Sequence, residues 1–174
     1  MNSQLLIQNI VRFVLLFLLQ VLVFNNVYLG GYINPFLFVL FIAMLPTGMS
    51  AITMMLISFA GGLAIDLTTN MIGFHAFTCT AVAFLRGVWF DRIIMHDSNE
   101  EVNTPSLYSV PYQQFGVYIL LMLLVYNAIY YTLLVFDLHD IGHILLSTVL
   151  STIVTWLLAI LYQTLLVKRT EKQK

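Results

Sequence analysis

The chain has 174 residues, 60% of them apolar and only 9% charged, with a mean hydropathy of +0.93 and a formal net charge of -1. Soluble domains carry about a quarter charged residues, so this composition excludes a water-soluble fold. The seven lysines and arginines are dispersed, which excludes the clustered cationic patch that nucleic acid requires. A single cysteine, Cys79, excludes an intramolecular disulfide, and its place within an apolar run marks it as a small packing residue.

A membrane-crossing helix needs about 20 apolar residues. Residues 5–24, 47–65, 72–90, 115–136 and 144–167 meet that requirement. The first run is followed by Asn25, Asn26, Val27 and Tyr28 and not by a small-x-small cleavage pattern, so it is expected to be a retained helix. A sixth apolar stretch is shorter. Between Pro35 and Pro46 lie residues 36–45, which as a helix would cover about 15 Å, roughly half of a hydrocarbon core. It crosses only if the chain from Tyr28 onward also enters the membrane, where Gly30, Gly31 and Asn34 predict irregular backbone. Such backbone must be covered by protein or face a water-filled cavity. The expected fold is therefore an all-α integral membrane protein, a bundle of six transmembrane helices with the second short or broken, forming one domain over residues 1–174.

Lysine and arginine set the expected orientation. Arg86 and Arg92 flank the longest loop, residues 91–114, and Lys168, Arg169, Lys172 and Lys174 form a basic tail over residues 168–174. Both regions are expected in the cytoplasm. The links at residues 66–71 and 137–142 contain neither basic residue and are expected outside. Six crossings place both termini in the cytoplasm, with Arg12 snorkelling to the inner interface. The loop holds Asp97, Ser98, Asn99, Glu100, Glu101, Asn103, Pro105 and Pro111, the only stretch of soluble character, and is read as mobile.

The densest chemical signal joins the third and fourth helices. It runs Gly61-Gly62-Leu63-Ala64-Ile65-Asp66, then Thr68, Thr69 and Asn70, then Gly73-Phe74-His75-Ala76. At helical spacing Ser58, Gly62 and Asp66 share one stripe and Ala60 and Ala64 a neighbouring one. Small residues spaced by four let two membrane helices bring their backbones together, so the third helix is expected at the centre. A carboxylate at its end is costly toward lipid, so Asp66 is expected to face the bundle and to meet His75 across the turn. Two readings of that pair stand open: a polar clasp that fixes the turn, and a proton or ligand site.

Asp137, His139, Asp140 and His143 form a second polar cluster. The two histidines are spaced by four, as zinc ligands often are, but they straddle Gly142 at a loop-to-helix junction. The favoured reading is a solvated connector with Asp140 helping to cap the sixth helix. In the fifth helix Asn127 lies near mid-membrane, where an unpaired amide is costly, and is expected to hydrogen-bond a neighbouring helix.

The run from Leu45 to Arg86 resembles the rod shape-determining protein MreD family of bacterial cell-wall elongation. The matching features are Leu45-Pro46, Phe59-Ala60-Gly61-Gly62-Leu63-Ala64-Ile65-Asp66, Gly73-Phe74-His75-Ala76 and Ala83-Phe84-Leu85-Arg86. The likeness extends more loosely to the Asn-rich end of the first helix, the loop after the fourth and the basic tail. It implies a non-enzymatic, multi-pass component of the cytoplasmic (inner) membrane that organises a MreC-like protein, an MreB-like cytoskeleton, a RodA-like glycosyltransferase and its transpeptidase, without cofactor or metal. It implies a fold like that of the substrate-binding component of energy-coupling-factor transporters. Ser58, Gly61, Gly62, Asp66, Gly73, His75 and Arg86 are then the candidates for helix packing or partner binding, with Arg86 expected to anchor the fourth helix at the inner interface.

That fold supplies the alternative function, a vitamin-binding component of such a transporter. It would dock on its coupling subunit through small residues of the first helix, yet residues 10–24 contain neither alanine nor glycine. An intramembrane lipid enzyme needs several convergent ionisable groups. Asp66 and His75 are too few for that class.

Overall fold

The computed structural model describes residues 3–26, 32–71, 73–94, 104–135 and 140–166. Among these the chain is helical, with α1 (Ser3–Leu22), α2 (Val39–Ala43), α3 (Ala51–Thr69), α4 (Phe74–Ile93), α5 (Tyr112–Val135) and α6 (Ile141–Leu166), and a 3₁₀ turn at Phe24–Asn26 after α1. Four segments are long and apolar enough to cross a membrane: Leu5–Asn26, Ala51–Thr69, Tyr112–Val135 and Ile141–Leu166. The chain is a helical membrane protein on this criterion. The expected crossing at residues 72–90 falls outside those four because α4 carries His75, Arg86, Asp91 and Arg92, which lower its mean hydropathy. It is nonetheless as long as α1 and packs along α3 as its principal partner.

α3 starts and ends about four residues later than the apolar run suggested, and local chemistry explains both shifts. Pro46 opens a turn, and the Ser50 hydroxyl accepts a hydrogen bond from Thr53 N at 3.2 Å as an N-cap. At the other end Asn70 adopts the left-handed conformation, with φ of 57°, that terminates helices.

The core of the molecule is the stretch that looked weakest as a helix. Residues 36–45 are each at most 3% exposed, and only five of them, Val39–Ala43, are α-helical. Irregular backbone in an apolar interior must find hydrogen-bond partners. Here side chains of the surrounding helices provide them. Gln20 of α1 donates to Pro35 O at 3.0 Å and accepts from Phe38 N at 3.2 Å. Ser151 and Thr155 of α6 accept from Asn34 N and Phe36 N at 3.0 and 3.2 Å. Tyr118 of α5 donates to Ala43 O at 3.1 Å, and Arg12 of α1 to Met44 O at 3.1 Å. Tyr28, Gly30 and Gly31, where the irregular start was expected, lie outside the described residues.

These contacts also fix chain directions. Along the central segment, from Asn34 to Met44, the partners on α6 advance from Ser151 to Gln163, whereas those on α1 retreat from Gln20 to Arg12. Twelve residues of α6 rise about 18 Å, so ten residues of the central segment travel a comparable depth. On α5 the partners retreat from Tyr126 and Tyr130, against Phe36, to Tyr118, against Ala43. On α4 they advance from His75 to Arg86. Hence α1, α3 and α5 run one way, and the central segment, α4 and α6 the other, with Gly61 of α3 placed against Phe38 and Met54 at the level of Arg86.

Candidate functional site

The turn between α3 and α4 brings together the residues singled out in the sequence. Asp66 is fully buried at the end of α3, and both of its oxygens face the first turn of α4. Oδ1 accepts from His75 N at 2.9 Å, and Oδ2 accepts from Gly73 N at 3.0 Å and Ala76 N at 2.9 Å. A helix start leaves backbone N–H groups without intrahelical acceptors and carries a partial positive charge. α4 has Gly73 at its N-cap position, which offers no side chain to satisfy them. Asp66 therefore caps the next helix from across the hairpin. Gly73 holds φ of +97°, a conformation that favours glycine, and so directs these amides back at the carboxylate.

Glycine at position 62 permits the approach. A Cβ there would lie 2.5 Å from His75 O and 2.7 Å from Ala76 Cα, so α3 and α4 meet backbone to backbone. Gly61 serves a different contact, since a Cβ there would fall 2.6 Å from Phe38 Cζ and 3.3 Å from Phe13 Cε2. Ser58 completes the buried stripe with Gly62 and Asp66, while Ala60 is exposed. The Ser58 hydroxyl is enclosed and makes no hydrogen bond.

Asp66 and His75 meet through the histidine backbone, and the imidazole points elsewhere. His75 Nδ1 shares a 2.6 Å hydrogen bond with the Tyr126 hydroxyl of α5. The ring stacks on Tyr130 at 4.8 Å between centroids and meets Phe36 edge-on at 5.1 Å. His75 thus links the hairpin, α5 and the start of the central segment.

Arg86 departs from the expectation of an interfacial anchor. Its side chain is buried, with Nε donating to Ala43 O at 3.3 Å, Nη2 donating to Leu45 O and Nη1 lying 2.7 Å from Met54 Sδ. Its guanidinium also sits over the Phe90 ring, 5.8 Å from the centroid. The cause is the end of α2. The carbonyls of Leu40, Phe41 and Ile42 accept from Met44 N and Leu45 N as α2 ends, and a planar guanidinium with five N–H groups serves those of Ala43 and Leu45 beyond them. Arg12 likewise turns inward to Met44 O instead of only reaching for an interface.

Of the second cluster only Asp140 and His143 fall among the described residues. Asp137 and His139 lie outside the described residues. His143 packs against Tyr32 at 4.8 Å between rings. Asp140 is exposed and caps nothing among the described residues, because its carboxylate accepts no hydrogen bond from α6. No group of three metal-ligating side chains occurs among the described residues. Asn127 does pair with a neighbouring helix, donating to Thr152 Oγ1 at 3.1 Å and to Leu123 O at 3.0 Å. Cys79 is fully buried as a free thiol.

Comparison with protein-family models, with curated proteins and with solved structures gives no match to this chain.

Proposed function

We propose that the chain is a non-enzymatic, multi-pass component of the bacterial rod-shape and cell-wall elongation machinery, of the MreD kind. In this reading it organises a MreC-like protein, an MreB-like cytoskeleton, a RodA-like glycosyltransferase and its transpeptidase in the cytoplasmic membrane. The observation that carries it is the hairpin at Asp66. Of the residues on which the resemblance rests, Gly62, Asp66, Gly73 and His75 bring α3 and α4 into backbone contact and cap α4, and Gly61 seats Phe38 of the central segment against α3. Arg86, the last matching residue, ties the same helix to the central segment.

Among the described residues, Asp66, Gln20, Arg86 and Thr155 of the interior are spent on backbone groups, and His75 and Asn127 on side chains of neighbouring helices. A protein built this way acts through its outer faces, and those of α1, α3 and α6 present Ile7, Val11, Val14, Leu56, Leu67, Leu145 and Leu157 outward. Large apolar outer faces suit lipid and partner helices alike. The alternation of chain direction supports six passes, the second made by the enclosed segment around α2, and the positions of Arg86, Arg92 and the basic tail support cytoplasmic termini.

Depletion in a rod-shaped host, combined with crosslinking and recovery of bound proteins, tests the reading. Rounded cells and recovery of a MreC-like protein are expected. Cells of normal shape that require an added vitamin would instead assign the chain to a transporter.

A further inference from the structure

A groove of about 360 Å³ opens between the first halves of α1 and α3. Its walls are apolar, formed chiefly by Leu6, Ile10, Phe13, Phe41, Met49 and Ile57, with exposed Ala60 on one rim. Asn9, Leu45 and Pro46 also line it. Arg12 does not itself line the groove but is hydrogen-bonded to the lining residue Asn9. Its Nη1 donates to Asn9 Oδ1 at 3.1 Å and to Met44 O at 3.1 Å, the carbonyl that immediately precedes the wall residues Leu45 and Pro46. Among the described residues its Nε and Nη2 make no hydrogen bond and are not sealed from the surface, and no carboxylate pairs with it, its nearest titratable neighbour being the Tyr162 phenol of α6.

We propose that this groove holds one acyl chain of an anionic phospholipid whose phosphate lies against the free edge of the Arg12 guanidinium.

Two features select this occupant. The first is charge: a half-buried guanidinium at an apolar groove is costly without a counter-charge, and a phosphate matches the paired donors of its open edge. The second is size. Two turns of an α-helix, ~11 Å long and ~10 Å across, fill more than twice the volume of the groove, whereas an extended acyl chain is thinner and enters it with part of its length. A lipid with a net negative headgroup leaves its phosphate free for Arg12, while a choline headgroup supplies a competing cation of its own.

The test uses the full chain purified in mild detergent and examined by native mass spectrometry with dioleoyl phosphatidylglycerol and dioleoyl phosphatidylcholine in turn. One phosphatidylglycerol per chain is expected, with roughly a fivefold preference, the factor for a single basic side chain near an anionic headgroup. Arg12→Gln should equalise the two lipids. Ala60→Trp fills the groove from an exposed position and should abolish retention of both while leaving helix content unchanged by circular dichroism. Equal retention of the two lipids by the unmodified chain, or undiminished phosphatidylglycerol on the Ala60→Trp protein, would overturn the proposal. Should Arg12→Gln fail to fold, the unmodified chain and Ala60→Trp decide it between them.

Discussion

The carboxylate of Asp66 lies 2.9 Å from the backbone nitrogen of His75, nine residues further along the chain and on the next helix. It serves two more amides of the same turn, so one side chain supplies the cap that Gly73 cannot. Replacement of Asp66 by Asn keeps the size but substitutes an N–H₂ group for one acceptor oxygen, which then faces a backbone donor. Loss of charge-assisted bonds at a buried helix start is expected to cost about 2–3 kcal/mol for Asp66→Asn, and more for Asp66→Ala. Unfolding titration in mixed micelles measures this. A pair of variants as stable as the parent would remove the clasp from the account of the fold.

The two adjacent glycines should differ. Alanine at position 62 meets backbone atoms of His75 and Ala76, which move only if α3 and α4 separate. Alanine at 61 meets the far end of the Phe38 ring, which a small rotation relieves in part. Overpacking of this kind costs about 1–3 kcal/mol, with Gly62→Ala at the upper end and Gly61→Ala at the lower. Gly73→Ala has open space around it and should lose only the backbone term, about 1 kcal/mol. The same titration ranks the three, and the reverse order at 61 and 62 would contradict the backbone contact.

The hairpin was legible in the sequence because its signals are local: small residues at a spacing of four, a carboxylate at a helix end and a glycine in the turn. The central segment was legible only as a weakness, through Pro35 and Pro46. What the sequence reading missed was the set of side chains that receive it. Gln20 interrupts an apolar run in α1, and Ser151 and Thr155 stand one turn apart on α6. Each looked like an isolated polar residue in a membrane helix. A signal was nonetheless present, since a proline-bounded apolar segment too short for a full helix leaves backbone groups that something must satisfy. Arg86 was misplaced for the same reason, because a lone arginine near a helix end is ordinarily read by the interface rule and not as a donor to an interrupted helix.

Arg86 should therefore behave as an interior residue. Arg86→Met retains an apolar stem but leaves Leu45 O without its donor and Ala43 O with only Tyr118. Removal is expected to cost about 2–4 kcal/mol, and Arg86→Lys should recover part of it by serving a single carbonyl. An interfacial anchor would instead lose little, because lysine snorkels as well as arginine. Unfolding of the three proteins side by side distinguishes the two, the anchor account requiring Arg86→Lys to match the parent.

Thr155 provides the most selective probe of how the central segment is held. Its hydroxyl accepts from Phe36 N at 3.2 Å and donates to Ser151 O within its own helix at 2.6 Å. Valine has nearly the same shape, so Thr155→Val removes the acceptor while disturbing packing little. The N–H of Phe36 is then left buried without a partner, at a cost of about 1–3 kcal/mol. Hydrogen exchange should report the change locally, with faster exchange at Phe36 and Phe38 and unchanged protection within α3. Gln20→Leu should produce the same pattern from the other side, since Phe38 N and Pro35 O both depend on that amide. If the two substitutions loosen the whole bundle evenly, the central segment is not a separately supported element. If exchange rises only over residues 34–38, side chains of α1 and α6 hold this segment in place.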